Sequence, residues 1–347
     1  MESKRKIHHA NYPRTEASVF SSRFRWGSHP GGHSAAAARP AHGTAKNRSI
    51  VSSGSAQARL RAAGHCPFNR ILIATEGSAF DAGAERVGIA IAASYGVPLL
   101  AVLPLVTNPV YESVAAEREE QDEAEAAARI ERLQQVARFW GVELRGRVRL
   151  GEEPFREIVD EARECEADLI LLRRRRKHGH LANLLLGEMV HTVTVHTQSD
   201  VLSVPSGSQI WSRAIVLATD GSPPGERATR IAGTLAVHGG LPLTVVSTAE
   251  HHQGKAADEG AAKVNLEHAL SRLGAAGAQA MGWVSGNDEP SESILAAAEQ
   301  TGADLIVIGH RGLSWMEGML VGSTPERVAG IANTPVLIVQ QATTRSA

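Results

Sequence analysis

The sequence predicts an α/β protein made of two tandem domains, each with a mostly parallel sheet. Three observations lead to this prediction. Short apolar strands alternate with helical stretches, the same order of elements occurs twice, and matching residues fall at corresponding strand ends in the two copies. A chain of 347 residues is long enough for two such domains, each burying its own core.

Residues 1–68 precede the first periodic segment and are predicted to be a disordered basic arm. They carry eleven Lys or Arg residues against Glu2 and Glu16, a net charge of about +9. Ser34–Ala41 and Ser52–Ala58 are of low complexity. Three interpretations of this segment remain open: a basic arm that binds an anionic partner, a solvated tail, and an over-extended gene start. The last two are favoured because no basic and aromatic spacing is sustained.

The rest of the chain has a net charge of about −10, which argues against a nucleic-acid-binding core because phosphate contacts need clustered cations. Cys66 and Cys165 form no CxxC pair and suggest no disulfide framework. The longest apolar runs, such as Val97–Val106, are too short and too interrupted by proline to span a bilayer. We therefore expect a soluble, cytoplasmic protein.

The first copy occupies residues 69–206. Its strands are predicted at Ile71–Thr75, Pro98–Leu103, Val142–Leu150, Asp168–Leu172 and Val201–Val204. The first helix is predicted to end near Tyr95. The other three are predicted at about Glu112–Phe139, Glu153–Cys165 and Leu184–Thr197. The short, continuous apolar strands are typical of a buried parallel sheet.

The second copy occupies residues 212–341, after a boundary at Pro205–Ser212. Its strands are predicted at Ile215–Thr219, Leu243–Thr248, Ala278–Val284, Asp304–Ile308 and Thr334–Val339. Its helices include Gly260–Leu273, Ser291–Gln300 and a run beginning near Pro325. Because the order of the first copy is repeated with small changes in loop length, the chain is a tandem duplication.

A glycine-rich motif follows the fourth strand of the second copy. Gly309 and Gly312 are separated by two residues, and Gly322-Ser323 follows after nine more. The motif lies between an apolar strand and a helix. Backbone amides in such a loop can approach an anion closely, and a helix N-terminus attracts phosphate.

Three segments resemble the universal stress protein family: this motif, the strand Ala303–Gly309 and the strand end Thr219–Ser222. The resemblance implies a doubly wound, five-stranded parallel sheet in each copy. It also implies that a copy with the full motif binds ATP or a related adenine nucleotide, with Mg²⁺ as an optional companion. Pairing of two domains through their last strands, Val201–Val204 and Val336–Val339, is implied as well.

The resemblance also assigns contacts to individual residues of the second copy. Asp220 would meet the ribose or adenine, and the backbone at Thr248 would meet the adenine edge. Family members often have His-Val where this chain has Ser247-Thr248. The phosphates would be held by Gly309, Gly312, Gly322 and Ser323, with contributions from Arg311 and the Thr324 amide.

Two of these side chains have a purely structural alternative. Ser323 begins the capping box Ser323–Glu326, so its hydroxyl could cap the helix, hold phosphate, or do both. Asp220 could order its loop before Ser222 caps the following helix. Ligand contact is favoured for Asp220 because it ends a strand.

The first copy lacks the motif. Arg173 and Arg176 stand in place of Gly309 and Gly312, Gly187-Glu188 replaces the Gly-Ser pair, and Glu76 replaces Asp220. We expect this copy not to hold ATP in the family manner. The alternative is an anion site formed by the side chains of Arg173–Lys177 with His178 and His180.

These features predict a nucleotide-binding stress sensor or regulator with one competent site and an unidentified regulatory protein partner. The two copies would form an intrachain pseudo-dimer, and association of two chains stays open. A nucleotide-independent interaction module is the second hypothesis. A slow ATP hydrolase using Asp220 or His310 is the third, although no positioned catalytic residue or metal set is evident.

Overall fold

Strands and helices alternate in the predicted order in the computed structural model, which describes residues 66–106, 116–174, 188–247, 259–284, 289–310 and 324–341. The first copy contains β1 (Ile71–Ala74), α1 (Ala82–Tyr95), β2 (Leu99–Val106), α2 (Ala116–Phe139), β3 (Leu144–Gly151), α3 (Pro154–Glu164), β4 (Leu169–Arg173), α4 (Glu188–His196) and β5 (Asp200–Val204). The second copy contains β6 (Ile215–Ala218), α5 (Pro223–Gly239), β7 (Leu243–Ser247), α6 (Glu259–Ala275), β8 (Ala280–Val284), α7 (Pro290–Thr301), β9 (Leu305–Gly309), α8 (Thr324–Ile331) and β10 (Val336–Val339).

Residues 1–65, most of the predicted basic arm, lie outside the described residues. Phe68 was assigned to the arm from the sequence, but it is buried in the core with 2% of its surface exposed. A single aromatic residue ahead of the first strand gives no periodic signal, which is why the sequence could not place it.

The strands form one ten-stranded sheet in the order β3-β2-β1-β4-β5-β10-β9-β6-β7-β8. Neighbouring strands are parallel within each copy, as predicted. The order reverses between β1 and β4 in the first copy and between β6 and β9 in the second. Each copy is therefore doubly wound, and its switch point is where ligands bind in such sheets.

The two copies join through β5 and β10, which pair antiparallel with Leu202 opposite Leu337. These are the strands that the sequence analysis named as pairing edges. The pairing covers two apolar edges that would otherwise expose unpaired backbone groups. Because it is antiparallel, the carboxyl ends of the two parallel halves lie at opposite edges of the sheet.

Alternate strand residues pack into two apolar layers that each span both copies. In β1, Ile71 and Ile73 face one layer, while Leu72 and Ala74 face the other. Helices α1, α2, α5 and α6 cover the first layer, and α3, α4, α7 and α8 cover the second. This alternation explains why the strands are apolar at nearly every position.

An aspartate at the start of the fourth strand fixes the start of the first strand in each copy. The Asp168 carboxylate accepts hydrogen bonds from the backbone amides of Asn69 (2.7 Å) and Arg70 (3.0 Å). The Asp304 carboxylate does the same for Ser212–Ala214. The sequence analysis assigned both aspartates only to strand starts, so it missed this repeated structural role.

The turns after α3 and α7 differ in one residue, which gives a test of backbone strain. Glu166 has φ 54° after α3, whereas Gly302 has φ 64° at the matching position after α7. The left-handed region costs a non-glycine residue about 1–2 kcal/mol. Glu166→Gly should therefore raise the free energy of unfolding by about 1 kcal/mol in a urea titration. The exposed Arg70–Glu166 pair, 3.8 Å apart, contributes little against this gain.

Gly302→Ala is the matched opposite change and should lower the free energy of unfolding by about 1 kcal/mol. If Glu166→Gly were less stable than the wild type, the left-handed backbone at Glu166 would not be a source of strain.

Candidate functional site

The site predicted in the second copy lies where the adjacent strands β6 and β9 end. Asp220 follows β6, and its Oδ1 accepts hydrogen bonds from the Ser222 amide (3.0 Å) and hydroxyl (2.6 Å). The loop-ordering role named as the alternative for Asp220 is therefore present in the structure. Ligand contact by Asp220 stays a prediction.

Asn265, on α6, holds the same loop from the side. Its Nδ2 donates to the Asp220 carbonyl at 2.8 Å. Gly221 has φ 79°, and a Cβ there would lie 2.6 Å from the Asn265 Oδ1, so only glycine fits this close approach. In the first copy, Arg129 Nη1 donates to the Glu76 carbonyl at 3.1 Å. Sequence reasoning missed both residues, and only an alignment of the second helices of the two copies could have suggested them.

Gly309 has a packing role that the sequence did not suggest. Glycine was expected here because a Cβ would hold a phosphate away and because glycine permits positive φ, but Gly309 is not among the described glycines with positive φ. A Cβ at this position would lie 2.9 Å from the Gly225 amide nitrogen and 3.0 Å from the Pro224 carbonyl carbon. Gly309 therefore lets the start of α5 approach the end of β9.

The N-terminus of α5 is closed to an anion. Pro223 and Pro224 have no amide hydrogen, the Gly225 amide donates to the Ser222 hydroxyl, and the Glu226 amide donates to the Ser222 carbonyl. An anion at this edge would thus have to use amides other than those of the first turn of α5.

Only part of the predicted phosphate segment can be located. Gly309 ends β9, and Thr324 begins α8 as the motif predicts. Five assigned residues lie outside the described residues, namely Thr248, Arg311, Gly312, Gly322 and Ser323. Their contacts, including the choice between capping and phosphate binding for Ser323, stay predictions.

His310 belongs to the packing between the copies. It is 7% exposed, and its Nδ1 lies 2.8 Å from Oε1 of Gln340. This contact turns the ring toward Gln340, the residue that follows β10. The structure therefore gives no support to His310 as a residue that assists hydrolysis.

Ser247 ends β7 beside the predicted adenine edge. It is 1% exposed, and within the described part of the chain its hydroxyl has no hydrogen-bond partner. A buried, unpaired hydroxyl costs about 1–3 kcal/mol, so this atom would gain from a partner.

The matching strand ends of the first copy are filled by an ion-pair cluster. Arg173 takes the place of Gly309, and its guanidinium contacts Glu76 (2.5 Å), Asp81 (3.3 Å) and the Ser78 hydroxyl (3.0 Å). The Arg173 side chain is only 11% exposed and Asp81 only 1%. Because two carboxylates neutralise Arg173, the alternative in which it grips an external anion is not supported. Residues 175–180 of that alternative lie outside the described residues.

Two further features of the described ranges bear on the class of protein. No helix in them is both long enough and apolar enough to cross a membrane. No group of three or more His, Cys, Asp or Glu residues in them could hold a metal ion. Together with the sheet order, the strand ends define a duplicated, doubly wound α/β protein with a candidate ligand site at the carboxyl edge of its second copy.

The family model for the universal stress protein family matches residues 67–205 and 212–340. The chain belongs to the universal stress protein family. It is 36% identical over 137 residues to the universal stress protein in the QAH/OAS sulfhydrylase 3' region of Thermus aquaticus, covering 37% of this chain and 98% of that one. The match to universal stress protein YxiE of Bacillus subtilis covers only 50% of that protein's length.

Solved structures give the same fold. A universal stress protein from Archaeoglobus fulgidus DSM 4304 matches with a TM-score of 0.64 at 20% identity, covering 79% of this chain and 97% of that chain. The universal stress protein from Archaeoglobus fulgidus in complex with dAMP is 30% identical, covering 37% of this chain and 97% of its own, with a TM-score of 0.31.

Proposed function

We propose that this chain is an adenine-nucleotide-binding regulator of a stress response, with one competent site in residues 212–341. The observation that carries the proposal is the contrast between the two fourth-strand ends. The second copy has Gly309 and the glycine motif, while the first copy has Arg173 bound to its own carboxylates. Residues 69–206 are accordingly proposed as a half that does not hold ATP.

The residues of the second copy fit a nucleotide. Ser247 offers a buried hydroxyl at the end of β7 that has no hydrogen-bond partner among the described residues, next to the proposed adenine position. Asp220 is held in place by Ser222 and Asn265 beside it. Because α5 has no amide to spare, we assign the phosphates to the segment after Gly309 and to the N-terminus of α8. Any Mg²⁺ would accompany the phosphates.

Regulation is proposed in preference to catalysis. Hydrolysis needs a base or a positioned water, yet Oδ1 of Asp220 already accepts two hydrogen bonds from Ser222 and the His310 ring contacts Gln340. We propose that nucleotide occupancy changes the surface shown to a regulatory protein partner. Association of two chains belongs to the same proposal.

Isothermal titration of the full chain with ATP and with adenosine tests the proposal, together with a phosphate-release assay. We expect saturable binding of both ligands and release of phosphate no faster than in a buffer control. No saturable binding of either ligand would leave the nucleotide-independent interaction module as the better account. Steady phosphate release would favour the slow hydrolase.

A further inference from the structure

The two outermost strands of the sheet, β3 and β8, differ in charge at matching positions. Among the described strands, β3 pairs only with β2, and β8 pairs only with β7. The pairing registers place Ala280–Trp283 of β8 at the positions that Leu144–Arg147 occupy in β3. Met281 and Trp283 therefore stand where β3 has two arginines.

The arginines of β3 oppose the addition of another strand to its edge. The side chains of Arg145 and Arg147 are 83% and 56% exposed. Arg147 also contacts Glu161 and Glu164 on α3, at 3.1 Å and 2.9 Å. Charged side chains on an outer strand disfavour pairing, and two β3 strands side by side would bring like charges together.

The outer strand β8 has an uncharged, apolar sequence instead. Residues 276–284 contain no Asp, Glu, Lys, Arg or Pro. The side chain of Met281, on this strand, is 62% exposed. Charges and prolines are the usual means by which an outer strand avoids pairing, so β8 is open to another strand of similar chemistry.

The backbone of β8 presents hydrogen-bonding groups on its outer side. The Leu243 amide of β7 donates to the Gln279 carbonyl at 3.0 Å. In a parallel ladder the residues that point toward one neighbour alternate with those that point away. The N–H and C=O groups of Ala280, Gly282 and Val284 therefore point away from β7.

We propose that β8 pairs with β8 of a second copy of this chain, giving a symmetric dimer whose two β8 strands run antiparallel. A two-fold axis at Gly282 pairs all five residues of the strand. Gly282 then exchanges two hydrogen bonds with Gly282 of the partner subunit, and Ala280 does so with the partner's Val284. Met281 lies opposite the partner's Trp283, where a thioether and an indole attract each other.

The charges of the two outer strands favour this pair over the others that the sheet allows. A β3–β3 pair is opposed by its arginines. A β8–β3 pair would set arginines against an apolar edge, and its head-to-tail arrangement would leave a further edge open on each added chain. The β8–β8 pair alone joins two uncharged edges and closes as a dimer.

Sedimentation equilibrium of the full chain without nucleotide, up to about 100 μM, tests the inference, and we expect a dimer. Met281→Glu should weaken dimerisation at least about a hundredfold, because symmetry places a carboxylate in both contacts with Trp283. Ala280→Pro removes only the outward N–H at the first residue of the strand and should weaken dimerisation at least about tenfold. This second variant keeps the test valid if Met281→Glu does not fold.

Leu150→Glu is the matched control. Leu150 is 42% exposed on β3, so this variant adds the same charge to the other outer strand. It should dimerise as the wild type does. Circular dichroism checks that each variant is folded.

Three results would overturn the inference. A wild-type chain that stays monomeric would leave the β8 edge to an extended segment of another protein. A dimer that neither Met281→Glu nor Ala280→Pro weakens, or one that Leu150→Glu dissociates, would use a different surface. The dimer requires no nucleotide, so a failure of nucleotide binding would leave this inference standing.

Discussion

Replacing Gly322 with Glu is expected to weaken ATP binding at least about a hundredfold while the chain remains folded. The first copy carries a carboxylate one residue farther along, with Glu188 in place of Ser323, so a carboxylate in this stretch is compatible with the fold. A carboxylate placed against a triphosphate costs several kcal/mol, and each 1.4 kcal/mol corresponds to about a tenfold loss of affinity. Isothermal titration at constant salt measures the loss.

Gly274→Glu supplies the control for added charge. Gly274 lies in α6, and a Cβ there would have nothing within 4 Å. This variant should bind ATP as the wild type does. If Gly322→Glu retained an affinity within about threefold of the control, the phosphates would not lie at the glycine motif.

Replacing Arg227 with Leu should lower the free energy of unfolding by about 3–5 kcal/mol, because it leaves a buried carboxylate without its cation. Arg227, on α5, contacts Oδ1 of Asp200 on β5, and Asp200 is fully buried. Its guanidinium also donates to the Gln340 carbonyl at 3.2 Å, so the pair joins the two copies. Urea denaturation monitored by circular dichroism measures the loss.

Arg272→Leu removes a cation from an exposed pair and provides the comparison. Arg272 and Glu226 are 3.4 Å apart, with 41% and 45% of their side chains exposed. Such pairs contribute about 0–1 kcal/mol. Equal, small losses in the two variants would show that the Asp200–Arg227 pair does not stabilise the junction of the copies.

The same pair predicts a dependence on pH. Burial raises the pKa of the Asp200 carboxyl above its ordinary value, while the hydrogen bond and charge of Arg227 act to lower it. An acid with a raised folded-state pKa favours folding most in acid, and this contribution declines as the pH rises through that pKa. Removing Arg227 raises the pKa further. The destabilisation by Arg227→Leu should therefore be smaller in mild acid than at neutral pH.

The sequence was sufficient to predict the strands, the duplication and the junction of the copies. Buried parallel strands such as Leu169–Arg173 and Leu305–Gly309 are nearly continuous apolar runs, so their positions can be predicted from the sequence alone. Their boundaries differ from the predicted ones by one or a few residues, because hydrogen bonding rather than composition ends a strand. The pairing of β5 with β10 was expected from the family resemblance, and the structure adds that it is antiparallel.

Side-chain contacts across the fold were not predictable in the same way. The sequence linked Gly309 to a phosphate, but it did not predict the close approach of Gly309 to Pro224 and Gly225, which the chain brings near only on folding. Arg173 was left open as an anion-binding residue, but its partners Glu76 and Asp81 are far away in sequence. Such pairings depend on tertiary packing and have no periodic signal.

Gln340 is another residue whose contacts could not be predicted from the sequence. It follows the last strand and has no motif, yet its side chain joins His310 to Thr194 across the two copies. A polar residue just beyond an apolar strand is ordinary in a sequence. Its role becomes visible only when both partners and their burial are known.

Photolabelling of the full chain with 8-azido-ATP, followed by mass-spectrometric mapping of the labelled peptides, tests most directly whether the second copy alone holds the nucleotide. We expect label that saturates, is displaced by ATP, and lies on peptides from the ends of β6, β7 and β9. Displaceable label on peptides containing Glu76 or Arg173 in the first copy, or labelling that ATP does not displace, would contradict this assignment.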